Sequence, residues 1–217
     1  KDIQVLEGLE AVRVRPGMYI GSTDQRGLHH LIYEILDNAV DEAMAGFCER
    51  VEIAISEDGW ISVVDNGRGI PIDKHPKTGK SALETVMTTL HAGGKFGGGA
   101  YKVTGGLHGV GGSVVNALSE ELRAEVRRQG WLYTQEYERG KPTGGLVKGE
   151  KTTEHGTTVS FKPDPQIFPD IEYDFDTLIS HFKEIAYLNK GLEIAFTSHW
   201  HYDKRRGDIQ RTYFFDG

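Results

Sequence analysis

Apolar residues recur at helical spacing from Leu28 to Ala45. Leu28, Leu31, Ile32, Ile35, Leu36, Ala39, Val40, Ala43 and Met44 form one stripe, and Gly46 is a natural stop. A second stripe, Leu178, Ile179, Phe182, Ile185 and Leu188, predicts a helix over Asp176–Asn189. Ser81–Leu90 reads as a shorter helix, with Ser81 as N-cap and Glu84 completing a capping box. Between these the pattern changes to alternation. Arg50–Ser56 and Trp60–Asp65 alternate about Glu57-Asp58-Gly59, and Leu122–Arg128 pairs with Trp131–Glu138, which predicts two hairpins. Leu146–Glu150, Thr157–Lys162, Leu192–Thr197 and Arg211–Phe215 read as further strands.

Hairpin-linked strands with helices set apart from them imply an α+β fold rather than a βαβ repeat. The expected architecture is a two-layer sandwich: a mostly antiparallel, mixed sheet with helices on one face. The 217 residues suit a single domain, and the abrupt ends suggest a fragment of a longer chain. His199 to Asp208 is charged and turn-rich and reads as a solvated loop; His199 and His201 lack the third ligand a metal site needs.

Composition narrows the classes. Hydrophobic residues are 38% and charged residues 26%, as in ordinary globular proteins. No apolar run of about eighteen residues suggests a membrane span, and Lys1-Asp2-Ile3-Gln4 shows no signal-peptide h-region. Cys48 is the only cysteine, which excludes an internal disulfide and fits a reducing cytoplasm; it reads as a small buried apolar group. The net charge of −7 argues against this domain being a nucleic-acid platform in its own right.

The candidate chemistry lies in three blocks. Gly93 to Gly112 contains ten glycines in twenty residues and runs into Ser113-Val114-Val115-Asn116-Ala117-Leu118, a helix former. Glycines are costly in regular elements, whereas bare N–H groups leading into a helix N-terminus suit phosphate. Lys95 and Lys102 add positive charge there. The second block is Glu34-Ile35-Leu36-Asp37-Asn38-Ala39-Val40-Asp41-Glu42-Ala43 on the first long helix, where Glu34 and Asn38 share a face. The third is Asp65-Asn66-Gly67-Arg68-Gly69-Ile70-Pro71 at a strand end. Taken singly, the glycine run reads equally as a flexible surface loop and the Glu34–Asn38 pair as the wet side of an amphipathic helix.

Their order resembles the Bergerat, or GHKL, ATP-binding fold of type II topoisomerases, mismatch-repair MutL proteins, heat-shock chaperones and sensor histidine kinases. Longer segments are more specific. Val12-Arg13-Val14-Arg15-Pro16-Gly17-Met18-Tyr19-Ile20-Gly21, Leu90-His91-Ala92-Gly93-Gly94-Lys95-Phe96 and Tyr101-Lys102-Val103-Thr104-Gly105-Gly106-Leu107-His108-Gly109-Val110-Gly111 are similar to the family of bacterial DNA gyrase B subunits. The equivalent ATPase subunit of topoisomerase IV is the alternative. A histidine kinase catalytic domain or a non-catalytic ATP-regulated module fits less of the pattern. Phe96-Gly97-Gly98-Gly99-Ala100 departs from the family, which carries polar or acidic residues there.

The resemblance implies ATP and Mg2+ as ligands. It makes Glu34 the base for the attacking water and Asn38 the side-chain ligand of Mg2+. Asp65 would accept from the adenine amino group, with Thr157 sharing an ordered water. Gly67 and Gly69 would let the backbone turn beneath the base, and Ile70, Val63, Met87 and Val159 would make the purine slot. Lys95, Tyr101, Lys102, Gly106, Leu107, His108, Gly109, Val110, Gly111 and Gly112 would form the lid and phosphate cradle. Its tip, about residues 97–104, is expected to be poorly ordered without nucleotide. Arg68, Pro71 and Arg128 would form an outer rim reached by aminocoumarin antibiotics. Arg127 reads as a solvated strand edge, and Asp37 and Asp41 as structural. The implied partners are a gyrase A subunit and DNA, both through regions absent here, and a second copy of the chain on ATP binding. A lysine for the γ-phosphate would come from a following domain, so negligible turnover is expected from these 217 residues alone.

Overall fold

The computed structural model describes residues 8–90, 111–201 and 210–214. Two short helices open it, α1 (Leu9–Val14) and α2 (Gly17–Ile20). The long helix α3 (Gln25–Met44) follows, capped by Asp24, whose carboxylate accepts from the Arg26 N–H at 2.9 Å. Strands β1 (Arg50–Ile55) and β2 (Ile61–Asp65) form the first hairpin. Next come α4 (Ala82–Thr88), α5 (Gly111–Ala117), β3 (Ser119–Arg128) and β4 (Trp131–Glu138). The chain continues through β5 (Lys141–Pro142), β6 (Val147–Lys151), β7 (Gly156–Pro163), α6 (Phe175–Leu188), β8 (Glu193–Ser198) and β9 (Gln210–Phe214).

Among the described residues the strands make one nine-stranded sheet in the order β5-β4-β3-β7-β2-β1-β8-β9, with β6 also on β4. Among the described pairs only β1 with β8 is parallel, so the sheet is mixed and mostly antiparallel, as expected. Registers place Leu122 and Ala124 of β3, Phe161 and Val159 of β7, Ile61 and Val63 of β2, Ile55 and Ile53 of β1 and Phe196 of β8 on one face. All are buried, in one core with Leu28, Leu31, Ile35 and Leu36 of α3 and Leu178 and Phe182 of α6. The other face carries Arg50, Glu52, Ser62, Ser160, Arg123 and Glu125, which explains its alternation (period two places neighbours on opposite faces).

Helix ends follow side-chain chemistry. Ser81 accepts from the Glu84 N–H at 3.0 Å, but the Glu84 carboxylate does not return to the cap. It accepts instead from Gln135 Nε2 on β4 at 2.8 Å, tying α4 to the sheet. Asp174 caps α6 by accepting from the Thr177 N–H at 2.8 Å. The short helix after the glycine block starts at Gly111, not at Ser113 as the composition suggested. His201 corrects the solvated-loop reading of 199–208. It is buried, its ring nitrogens bonded to the Ser198 hydroxyl and the Tyr173 carbonyl. Both nitrogens are thus used structurally, and residues 202–209 lie outside the described part. Cys48 is buried as expected, and burial pushes its thiol up to about 11, which makes it a poor nucleophile at neutral pH. Among the described residues no helix is long and apolar enough to cross a membrane.

Candidate functional site

The site is built on one face of α3 and on the strand-end loop after β2. Glu34, Asn38 and Glu42 recur every four residues and so line up along about 12 Å of helix. Each meets a different neighbour. Glu34 is buried and accepts from the Gly111 N–H at 3.0 Å through Oε2, while Oε1 lies 3.3 Å from His30 Nε2. Asn38 faces Gly112, where a Cβ would come within 3.9 Å of its Nδ2 and 3.3 Å of Met87 Sδ. Glu42, also buried, grips Arg68 by three contacts: Oε2 accepts from the backbone N–H at 2.9 Å and from Nε at 3.2 Å, and Oε1 from Nη2 at 2.7 Å. The helix therefore joins the start of α5 to the loop after β2.

That loop holds Asp65. Alternation along Ile61, Val63 and Asp65 turns its carboxylate toward the helices. Oδ1 accepts from the N–H of Gly67 at 2.9 Å and of Thr157 at 3.2 Å. Both bonds fall on one oxygen, leaving Oδ2 open. The Thr157 hydroxyl accepts from the Ile70 N–H at 3.0 Å, so Asp65, Thr157 and Ile70 form one connected unit. Val63, Ile70, Met87 and Val159 are all buried, as members of the same core. Gly69 has φ +82°, a conformation in which a side chain is strained, and a Cβ there would also meet Arg127 O at 3.0 Å. Gly156 matters as much and had no assigned role in the sequence. A Cβ on it would fall 2.0 Å from Asp65 O, so its bare backbone is what lets β7 approach Asp65. The Gly156-Thr157-Thr158-Val159 run was the signal for it.

Burial pushes the Asp65 carboxyl up to about 6, against the two backbone N–H bonds that favour its anion. The folded protein therefore holds this proton more tightly than the unfolded chain, whose value is near 3.8. The group's stabilising contribution is full below about pH 4 and is lost as pH rises through about 6. At pH 8 the buried charge costs up to about 3 kcal/mol. Asp65→Asn is expected to raise unfolding free energy at pH 8 by about 1–3 kcal/mol and to narrow the difference between pH 5 and pH 8. Denaturant titrations at the two pH values test this; an Asn variant less stable at pH 8 would contradict it.

The rim residues are near one another but are not loose. Arg68 is held by Glu42, and its guanidinium lies 3.9 Å over the Phe47 ring. Arg128 donates from Nη1 to the Gly69 carbonyl at 2.8 Å. Together with His155 they line a recess of about 400 Å3. Pro71, expected at the outer rim, is buried. Arg127 corrects the sequence reading. It is not a solvated edge residue, because β3 lies between β4 and β7, and its guanidinium bonds to Thr158 Oγ1 at 2.9 Å and to Asp65 O at 3.2 Å. Lys95, Tyr101, Lys102, Gly106, Leu107, His108, Gly109 and Val110 lie outside the described residues, as does the expectation about residues 97–104.

A carboxylate with one oxygen anchored and one open can accept an amino group. A second carboxylate at a glycine-initiated helix can orient water. Comparison with known proteins shows the family in which this arrangement occurs. The family model described as "Histidine kinase-, DNA gyrase B-, and HSP90-like ATPase" matches residues 23–167, well over half the chain. The chain belongs to this ATPase family. Its GHKL fold agrees with the sheet and helices above. The chain is 60% identical to the DNA gyrase B subunit of Synechocystis over 98% of its length and 20% of that protein's. It is 58% identical to the DNA gyrase B subunit of Clostridium acetobutylicum, covering 92% of this chain and 31% of the relative. For the DNA gyrase B subunit of Thermotoga maritima the identity is 56%, over 100% and 33%. The chain thus spans a fifth to a third of the length of the curated relatives it matches. Within the ATPase family match lie Glu34, Asn38, Asp65 and Thr157 alike.

Proposed function

We propose that residues 1–217 form one ATP-binding and ATP-hydrolysing domain of a cytoplasmic type II topoisomerase of the gyrase B kind. The observation that carries this reading is the Asp65 carboxylate, with Oδ1 held by the Gly67 and Thr157 N–H groups and Oδ2 left for a ligand; the buried side chains of Ile70, Met87 and Val159 would form the purine slot. Adenine offers an amino donor to Oδ2. The triphosphate would extend toward α5 and the glycine block. Glu34 would take a proton from, or orient, the attacking water.

Mg2+ fits this donor set. Asn38 offers one neutral amide oxygen on the α3 face between Glu34 and Glu42. A magnesium ion that takes most of its oxygens from phosphates and water needs little more from protein. Mg2+ would neutralise charge on the phosphates there. ATP binding would dimerise two such domains, and hydrolysis would reset them, gating passage of DNA in concert with a gyrase A-type subunit.

The test is turnover and topology. The longer polypeptide carrying this domain, with its partner subunit, is expected to hydrolyse ATP faster when DNA is present and to supercoil relaxed closed-circular plasmid. Phosphotransfer to a histidine without any change in DNA topology would instead support a sensor-kinase role.

The rim suits aminocoumarin inhibitors, which would overlap the adenine slot and reach Arg128. Arg128→Ala is expected to weaken such a compound by about 1–3 kcal/mol, the scale of a hydrogen bond to a charged group. ATP should lose less, through slackening of the Gly69 carbonyl that Arg128 holds. Equal losses in calorimetry would make support of the loop Arg128's main role.

A further inference from the structure

We propose that Arg127 is a positioning residue for Asp65, acting on it from the opposite side of the sheet. This deepens the ATP-site reading and rests on it. Residues 127 and 128 are neighbours on β3, so their side chains leave on opposite faces. Arg128 holds the Gly69 carbonyl at 2.8 Å on the side of the slot. Arg127 reaches the Asp65 carbonyl at 3.2 Å from the other side, and its second nitrogen is fixed on Thr158 Oγ1 at 2.9 Å. His155 adds a third hold, with Nδ1 2.6 Å from the Gly67 carbonyl. The carbonyls of 65, 67 and 69 are thus each gripped by a different side chain, one from β3's far face, one from the segment before β7 and one from β3's near face. The two arginines secure the two ends of the adenine-binding loop.

Arg127 does this from an open cleft of about 430 Å3, which it shares with Arg50, Glu52, Asn66, Glu154 and His155. Gly156 is what makes the reach possible, since a Cβ there would occupy the space beside Asp65 O. The guanidinium also favours the Asp65 anion, whereas Glu42 from α3 opposes it. Other titratable groups around Asp65 are the Cys48 thiol after α3, Arg68 in the loop itself, Arg50 on β1 and His155. Glu42 is paired with Arg68, whereas the guanidinium of Arg127 bonds a carbonyl and a hydroxyl, and its positive charge favours the Asp65 anion.

Three variants separate the roles. Arg127→Ala loses both bonds and the charge, Arg127→Lys keeps the charge without the two-pronged grip, and Arg127→Gln keeps a donor without the charge. Asp65 is followed by carbon-detected NMR of its side-chain carboxyl across pH in the nucleotide-free protein. ATP affinity is followed by calorimetry. Arg127→Ala is expected to raise the Asp65 midpoint above the wild-type value and to weaken ATP roughly tenfold, the scale of a lost charged hydrogen bond. Arg127→Gln should raise the midpoint too, and Arg127→Lys should restore it while recovering affinity only in part. An unchanged midpoint and unchanged affinity in Arg127→Ala would overturn the proposal. So would a lower affinity with an unmoved midpoint in both Ala and Gln variants, which marks Arg127 as general scaffolding. Should Arg127→Ala fail to fold, the Lys and Gln midpoints still decide. If the wild-type protein binds no ATP at all, the site reading fails while the carboxyl titration still reports on Arg127.

Discussion

Asp65→Ala should abolish measurable ATP binding and leave the fold intact. The structure gives the reason for both halves. Oδ1 is occupied by the Gly67 and Thr157 N–H groups, so Oδ2 is the acceptor a ligand can use. An acceptor there suits the adenine amino group and repels the guanine carbonyl. Sites built to bond a polar group reject analogues lacking it by up to about 10⁴-fold, because their buried groups are left unpaired. ATP should therefore bind wild-type protein and GTP should not. Removing the carboxylate costs two N–H partners but also removes a buried charge, so the two effects on stability oppose each other. Calorimetry on wild type and variant, with circular dichroism to confirm folding, tests this. Retained ATP binding in Asp65→Ala would place the purine elsewhere.

Glu34 should govern turnover rather than affinity. In a protein competent for hydrolysis, Glu34→Ala is expected to lose about 10²-fold or more in rate with ATP affinity kept, the scale of a general base. Glu34→Gln is the cleaner variant, because its amide oxygen can still accept from the Gly111 N–H while basicity is gone. The geometry also narrows the substitutes. Glu42 would be the obvious second carboxylate on this face, but it is committed to the Arg68 side chain and backbone. His30, 3.3 Å from Glu34 Oε1, is the group left close enough to compensate. Near-normal turnover in Glu34→Ala, measured by phosphate release, would remove Glu34 from the chemistry. Asn38→Ala should behave differently and weaken Mg2+-dependent binding itself.

The elements with long or regular patterns are legible in the sequence. The α3 stripe, both hairpins and α6 stand within a few residues of where periodicity put them, since each buries one face against the same core. α1 and α2 are not, because six and four residues are too few to show a helical period. The two-residue β5 likewise carries no alternation. Among the candidate site residues, Asp65, Thr157 and Glu34 were named through the family resemblance, and the structure joins Asp65 to Thr157 and Glu34 to Gly111. The supporting residues were harder. Glu42 and Arg68 lie 26 positions apart, and only the folded chain shows them as a pair. Arg127 was misread because a charged strand residue looks the same in sequence on an outer edge and on the polar face of an inner strand. Gly156 looked like part of a motif, and its reason is a carbonyl from another strand.

The most direct test is a crystal structure of this chain with Mg2+ and a non-hydrolysable ATP analogue. The account predicts the adenine amino nitrogen at about 3 Å from Asp65 Oδ2, the usual hydrogen-bond distance. The ring should lie between Ile70 and Met87, and the phosphates should point toward Gly111. A nucleotide seated instead in the separate cavity of about 810 Å3 beside Arg13 and Arg139, with Asp65 untouched, would contradict it.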